Sequence, residues 1–269
     1  MVLEEGINGQ MISLYDNGAH IPLLWTHLIP ATLEGQAKHN VQNSMFAAAM
    51  AYTMGVSLDN IRQGLRTFDT SFFQVPGRMN IFDKLGFKVI LDYGHNPAAI
   101  QAMSTLVDGL SQSGGLSKGG KRVCVVSAPG DRRDEDIREI AQIVSNSFDV
   151  FICREDDRRR GRAVGEVSGI MRDSLLAAGI ADDQIHIFNS EVNAVDEALR
   201  VCVPGDLLLI FADKITRSWK QIIYHHASTV NKAPQETEKP ILEEKLSLSA
   251  TPFLQDERGV FLAHDEQAD

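Results

Sequence analysis

The spacing of hydrophobic positions changes along this chain. Residues 11–15 and 21–25 are short apolar runs suited to strands. Asp16-Asn17-Gly18 between them tolerates positive φ, which predicts a tight hairpin. Residues 41–54 are small and apolar on almost every side (Phe46, Ala47, Ala48, Ala49, Ala51), predicting a helix buried on most faces and ended by Gly55. A second helix starts at Ser57, has Asp59 in its first turn, and spaces Leu58, Ile61, Leu65 and Phe68 at helical intervals. Pro76-Gly77 stops either regular structure, so residues 72–78 form a connection.

Beyond this connection, strands alternate with helices. The predicted strands are 87–92, 122–127, 149–153, 184–188 and 206–211, and the predicted helices are 97–110, 134–147, 164–178, 192–201 and 216–226. Pro97 suits a first helical position, Gly179 a helix end, and His225-His226 the last turn of the final helix. Leu207-Leu208-Leu209-Ile210-Phe211 is continuously apolar, as in a strand covered on both faces. The fold class is therefore α/β with a mostly parallel sheet.

Composition narrows the functional classes. The 269 residues include 36 acidic and 26 basic side chains, for a formal net charge of −10, so neither nucleic acid nor a membrane surface is an expected partner. Residues 227–269 hold nine of the acidic and four of the basic groups and read as a disordered acidic tail, with a short docking segment at Val260-Phe261-Leu262. Cys124, Cys153 and Cys202 stand singly in apolar stretches, without metal or redox spacing, and read as reduced buried thiols. No metal site is expected within the chain. The opening MVLEEGINGQ is acidic where a secretion signal would be basic, and a cytoplasmic location is expected.

Open parallel sheets bind ligands beyond the carboxyl ends of their strands. Charge is concentrated at those ends: Asp92-Tyr93-Gly94-His95-Asn96-Pro97, Gly130-Asp131-Arg132-Arg133-Asp134, the run 154–162 with five arginines and three acids, and Asp213-Lys214. Any one of these could be a solvated surface, but four at the same edge point to an anionic or zwitterionic ligand. The stretch 115–122 has the glycine and lysine spacing of a phosphate-binding P-loop. However, it ends in Arg122 where Ser or Thr would hold Mg²⁺, and it precedes a strand instead of following one, so it reads as a linker.

Pro76-Gly77-Arg78, Asp92 to Pro97 and Gly130 to Asp134 resemble the back half of the Mur-type ATP-dependent amide ligases. The stretches 39–43, 73–78, 89–97, 128–138 and 205–221 are most similar to the cyanophycin synthetase branch. This resemblance implies a Rossmann-like carboxy-terminal domain over residues 76–226, preceded by a remnant of the central ATP-binding domain over 1–75. It implies a reaction in which ATP converts a carboxylate to an acyl phosphate that an amine then attacks, with arginine joined to the aspartate backbone of the cyanophycin polymer. The implied cofactors are ATP and Mg²⁺.

By the same resemblance Asn43 contacts adenine, Arg78 reaches the phosphates and Asp92 binds the ribose. His95 and Asn96 position nucleotide or substrate, with Arg78 and His95 closest to the chemistry. Arg132, Asp156, Asp157 and Arg158 handle the incoming amino acid, and a carboxylate of Asp156 or Asp157 suits an arginine guanidinium. The family's P-loop lysine and Mg²⁺-binding acid have no counterpart here. The chain alone is expected to be inactive and to need the upstream half of the ligase, in cis or in trans, within an enzyme that forms homo-oligomers. A folylpolyglutamate-type or peptidoglycan-type ligase, and a non-catalytic nucleotide- or polymer-binding remnant, are the alternatives.

Overall fold

The computed structural model describes residues 1–114, 116–117, 119–230, 253–256 and 259–262. Contact density divides the chain into two compact units, Met1–Asn231 and Lys232–Asp269.

The first unit opens with a three-stranded antiparallel sheet of β1 (Val2–Gly6), β2 (Gly9–Asp16) and β3 (Ala19–Trp25). The two-residue turn forms as the sequence predicts, with Asn17 and Gly18 both at positive φ (47° and 82°) and Asp16 paired with Ala19. Strand β1 carries no signal in the sequence, because its Val-Leu-Glu-Glu-Gly has no apolar alternation and is half to fully exposed. Its Glu4 carboxylate gathers Ser13 Oγ, Tyr15 Oη (2.6 Å) and His20 Nε2 (2.9 Å) from the neighbouring strands. Helices α1 (Lys38–Thr53) and α2 (Leu58–Thr67) pack on this sheet through Val41, Ala48 and Ile61. The expectation that α1 is buried on most faces fails. Among its residues only Val41, Ser44 and Ala48 are buried, because β2, β3 and α2 cover one side only.

The second layer is a six-stranded sheet in the order β4-β5-β9-β6-β7-β8. Here β5 (Lys88–Asp92), β6 (Arg122–Val126), β7 (Val150–Arg154), β8 (Ile185–Phe188) and β9 (Leu207–Phe211) are mutually parallel. The short β4 (Asn80–Phe82) adds antiparallel to β5, and its three residues carry too little pattern to predict. Alternation along the strands sends Leu207, Leu209 and Phe211 to one face and Leu208 and Ile210 to the other. The first face packs α3 (Pro97–Gln112), α4 (Asp134–Ser145) and α5 (Glu166–Ala177). The second packs α6 (Glu191–Val201) and α7 (Ile215–Val230). Cys124, Cys153 and Cys202 are buried and free, and burial raises all three thiol pKa values. Helix α7 runs past His225 and His226, so they do not end it; His226 lies edge-on to Phe82, 5.5 Å between centroids.

In the second unit, β10 (Phe253–Asp256) pairs antiparallel with β11 (Gly259–Leu262), so Val260-Phe261-Leu262 belongs to a hairpin strand. The remainder of the expected acidic tail beyond Val230 lies outside the described residues, as do Gly115 and Lys118 of the P-loop-like stretch. That stretch leads into β6 at its amino end, where Ser117 N donates to Gly205 O (3.2 Å). Among the described residues no helix is long and apolar enough to cross a membrane.

The Glu4 cluster predicts an acid-dependent stability. Its hydrogen bonds from Ser13, Tyr15 and His20 hold the Glu4 carboxyl down at about 2. A depressed carboxyl stabilises the fold above its unfolded-state pKa and loses that contribution as pH falls through the folded one. Glu4→Gln should therefore lower the denaturation midpoint at neutral pH. The gap to the unmodified chain should close as pH falls from about 4.5 toward about 2, read from urea unfolding at a series of pH values.

Candidate functional site

The four charged clusters do meet at one edge of the sheet, and two cavities flank the loop between β5 and α3. The larger, about 860 Å³, lies between α1, α2 and α3 and is lined by Asn43, Arg78, Asp92 and His39 together with alanines of α1 and α3. The smaller, about 70 Å³, is lined by His95, Arg132, Arg154, Asp156, Arg160 and Asp213, drawn from the ends of β5, β6, β7 and β9.

Asp92 organises the larger cavity. It is buried, and its Oδ2 accepts from Met79 N (2.9 Å) while Oδ1 accepts from Gly94 N (2.7 Å). The carboxylate thereby staples the Pro76-Gly77-Arg78-Met79 connection onto the end of β5. Burial raises its pKa, against the opposing pull of those two N–H groups, Arg78 and His39. The connection is shaped for this approach: Gly77 sits at φ +74°, and a Cβ there would lie 2.8 Å from Ile215. Asn80 closes the turn, accepting from Gly77 N (2.6 Å) and donating to Thr70 O and Val75 O. Arg78 is left exposed at the mouth, with no ion pair among the described residues.

On α1, Asn40 donates to Ala31 O (2.7 Å), and Asn43 donates to Asn40 Oδ1 (3.2 Å). One N–H and the carbonyl oxygen of Asn43 stay open, a donor–acceptor pair that matches an adenine edge. His39, not singled out as a site residue from sequence, completes this wall; burial lowers its pKa, with Asp92 opposing.

In the smaller cavity, His95 Nδ1 lies 3.1 Å from Tyr93 O. A carbonyl only accepts, so Nδ1 carries the proton and Nε2 is the free atom. Arg154 forms the floor, 3% exposed, with Nη1 on Asp156 (2.8 Å) and Nη2 on Phe211 O (3.0 Å) and Glu191 (3.0 Å). Glu191 is fully buried at the start of α6 and also accepts from Asp213 N (2.7 Å), Lys214 N (3.0 Å) and Ser218 Oγ (2.8 Å). The pair thus ties β7, β9, α6 and α7 together. Burial raises the Asp156 pKa, with Arg154 opposing and Asp213 adding to the rise. Asp213 is held below the usual range because Lys214, Arg154 and Arg160 outweigh its burial.

Three of the sequence-derived residues lie outside the lining of both cavities. Asn96 lines neither cavity; its Oδ1 caps α3 by accepting from Ala99 N (3.0 Å). Asp157 is paired with Arg217 (2.8 Å), and Arg158 is exposed outside the cavity lining. Asp156 and Asp157 each already face a guanidinium of the chain itself. Arg154 could have been suspected from a charge following Val150-Phe151-Ile152-Cys153, but Glu191 reads locally as an ordinary helix-start acid.

Removing one partner of a buried ion pair leaves the other charge uncompensated, at a cost of about 3–5 kcal/mol. Arg154→Met and Glu191→Gln should each destabilise the chain by roughly that amount. The double replacement Arg154→Met/Glu191→Gln should cost clearly less than the sum, as a double-mutant cycle by urea unfolding would show.

Comparisons with known proteins fit this geometry. The family model for the Mur ligase, glutamate ligase domain, matches residues 77–213, just over half of the chain. The cyanophycin synthetase of Crocosphaera subtropica is 35% identical over 217 residues, covering 77% of this chain and 24% of that enzyme. A UDP-N-acetylmuramoyl-L-alanyl-D-glutamate–2,6-diaminopimelate ligase from Lactiplantibacillus plantarum is 26% identical over 207 residues, 76% of this chain and 38% of that one. The chain thus spans about a quarter of the length of the cyanophycin synthetases it matches. Among solved structures, Mycobacterium tuberculosis folylpolyglutamate synthase complexed with ADP superposes with a TM-score of 0.55 at 18% identity, covering 83% of this chain and 47% of that one, a likeness of fold. With its parallel sheet, its Pro-Gly-Arg connection and a family match across the whole carboxyl edge, the chain belongs to the Mur ligase family.

Proposed function

We propose that this chain forms the adenosine-facing and amino-acid-binding part of an ATP-dependent ligase that adds arginine to the aspartate backbone of cyanophycin. The observation that carries this reading is the convergence of Asn43, Arg78 and Asp92, from three separate segments, on one 860 Å³ cavity. That volume accommodates a nucleotide. Asn43 offers its open amide edge to adenine, Asp92 keeps a free lone pair on each oxygen for ribose hydroxyls, and Arg78 supplies positive charge for phosphates. ATP, when bound, supplies the phosphoryl group that activates a carboxylate as an acyl phosphate. On the other side of the β5–α3 loop, Asp156 and Asp213 attract a cationic side chain, and the open guanidinium of Arg132 attracts a carboxylate. His95 lines the same space, and in this reading its Nε2 takes a proton from the incoming amine.

Residues 1–75 correspond in this reading to the end of the central ATP-binding domain and 76–226 to the carboxy-terminal Rossmann-like domain. Among the described residues no group of three or more His, Cys, Asp or Glu side chains could hold a metal ion by itself. Without a P-loop in strand–loop–helix context, the chain by itself turns over no ATP.

Calorimetry with ADP tests the nucleotide half of this proposal. The full chain should bind ADP, and Asn43→Ala should weaken binding by about tenfold to a hundredfold, the worth of one paired base edge. Failure of the chain to bind ADP, or an unchanged affinity in Asn43→Ala, would refute it. Titration with arginine, glutamate and diaminopimelate separates the cyanophycin reading from the folylpolyglutamate and peptidoglycan types. Arginine should bind best, with its affinity lowered by Asp213→Asn.

A further inference from the structure

Carboxylates alone do not tell arginine from lysine, because either cation satisfies them. A planar guanidinium is distinguished by a flat surface on which it can stack. The smaller cavity has walls of both kinds. Asp156 Oδ1 holds Arg154 (2.8 Å) and Asp213 holds Lys214 (3.0 Å), but Asp156 Oδ2 and Asp213 Oδ1 take no hydrogen bond among the described residues. The two acids are close enough that the Asp213 charge adds to the rise that burial gives the Asp156 pKa, so a cation between them relieves their repulsion. Two of the three arginines lining the cavity are already neutralised. Arg154 is bound to Glu191 (3.0 Å) and Arg160 to Asp131 (2.8 Å), which leaves only Arg132 of the three without an ion pair among the described residues.

Three aromatic rings line the same space: Tyr93, His95 and Phe211. Phe211 is 1% exposed and belongs to the core, and His95 is turned by its bond to Tyr93 O. Tyr93 is 36% exposed, and its hydroxyl makes no hydrogen bond among the described residues. Its position is set instead by Tyr93 N donating to Gly77 O (2.9 Å) and by the edge-on contact with the His95 ring, 5.1 Å between centroids. The cavity's size limits what can enter. About 70 Å³ is roughly two water volumes, enough for a planar end group and too little for a whole amino acid. An end group in so small a space touches most of its wall, including the Tyr93 ring. We infer that Tyr93 is the specificity-determining residue for the incoming side chain: its ring stacks on a guanidinium held by Asp156 and Asp213, and so selects arginine over an ammonium of equal charge. This inference rests on the ligase reading above and names the contact by which that site would choose its amino acid.

The test uses the full chain and four probes: arginine, agmatine (the guanidinium without the carboxylate), lysine and citrulline (the neutral isostere). The chain has four tyrosines, so 3-fluorotyrosine labelling gives four fluorine resonances, and the one absent from Tyr93→Phe belongs to Tyr93. Arginine and agmatine should shift it; lysine and citrulline should not. By calorimetry, Tyr93→Leu should weaken arginine about threefold to thirtyfold, the worth of one cation–π contact, while lysine affinity stays the same. Tyr93→Phe should restore the preference for arginine, and Tyr224→Leu, at an exposed tyrosine of α7 outside the cavity lining, should leave it intact. An equal loss of arginine and lysine affinity in Tyr93→Leu would overturn the inference, since a merely structural role predicts that. Arginine binding that leaves the Tyr93 resonance unmoved would overturn it while sparing the ligase reading, and a resonance indifferent to both guanidinium probes would also overturn it. Agmatine binding as tightly as arginine, with the same dependence on Tyr93, would leave the guanidinium contact standing and count against an amino-acid-adding ligase.

Discussion

A charged pair is buried at the carboxyl end of the parallel sheet, and the smaller cavity is built around it. Arg154 follows four apolar residues of β7 and Glu191 opens α6, and both are almost fully buried. Such charges persist inside a protein only when their hydrogen-bonding capacity is met. Here Arg154 spends its terminal nitrogens on Asp156, Glu191 and Phe211 O, while its buried Nε has no hydrogen-bond partner among the described residues, and Glu191 spends its oxygens on the backbone entering α7, Ser218 and two arginines. Because each partner comes from a different element, satisfying this one pair fixes the relative positions of the β7, β9, α6 and α7 ends. The smaller cavity is the space left above it.

Asp92 has a comparable role at the end of β5. Its two oxygens hold the backbone on both sides of that strand, so the connection bearing Arg78 and the loop bearing His95 are set by the same side chain. The two cavities consequently share a wall. A ligand contacting Asp92 from the α1 side would bear on the loop that carries His95 on the other.

Much of this was legible in the amino-acid pattern, for physical reasons. Continuous apolar runs announced the parallel strands, and the rule that ligands sit beyond strand carboxyl ends placed the charged clusters correctly. The Asn17-Gly18 turn and Pro97 at the start of α3 were readable because local φ requirements decide them. What was not legible depends on tertiary partners. Asn96 looks like a ligand group in its loop, and its Oδ1 serves as the cap of α3. Glu191 looks like a surface acid, yet 0% of it is exposed. Helix α1 reads as a core helix, and only the packing reveals that one flank has no cover among the described residues.

Helix α1 and the Pro-Gly-Arg connection line one cavity, which we propose faces adenosine. Photolabelling of the full chain with 8-azido-ADP, followed by mass mapping of the modified peptides, tests it most directly. Label should fall within Lys38–Thr53 and be suppressed by excess ADP. Label confined to residues 115–122, or distributed without regard to competing ADP, would contradict it.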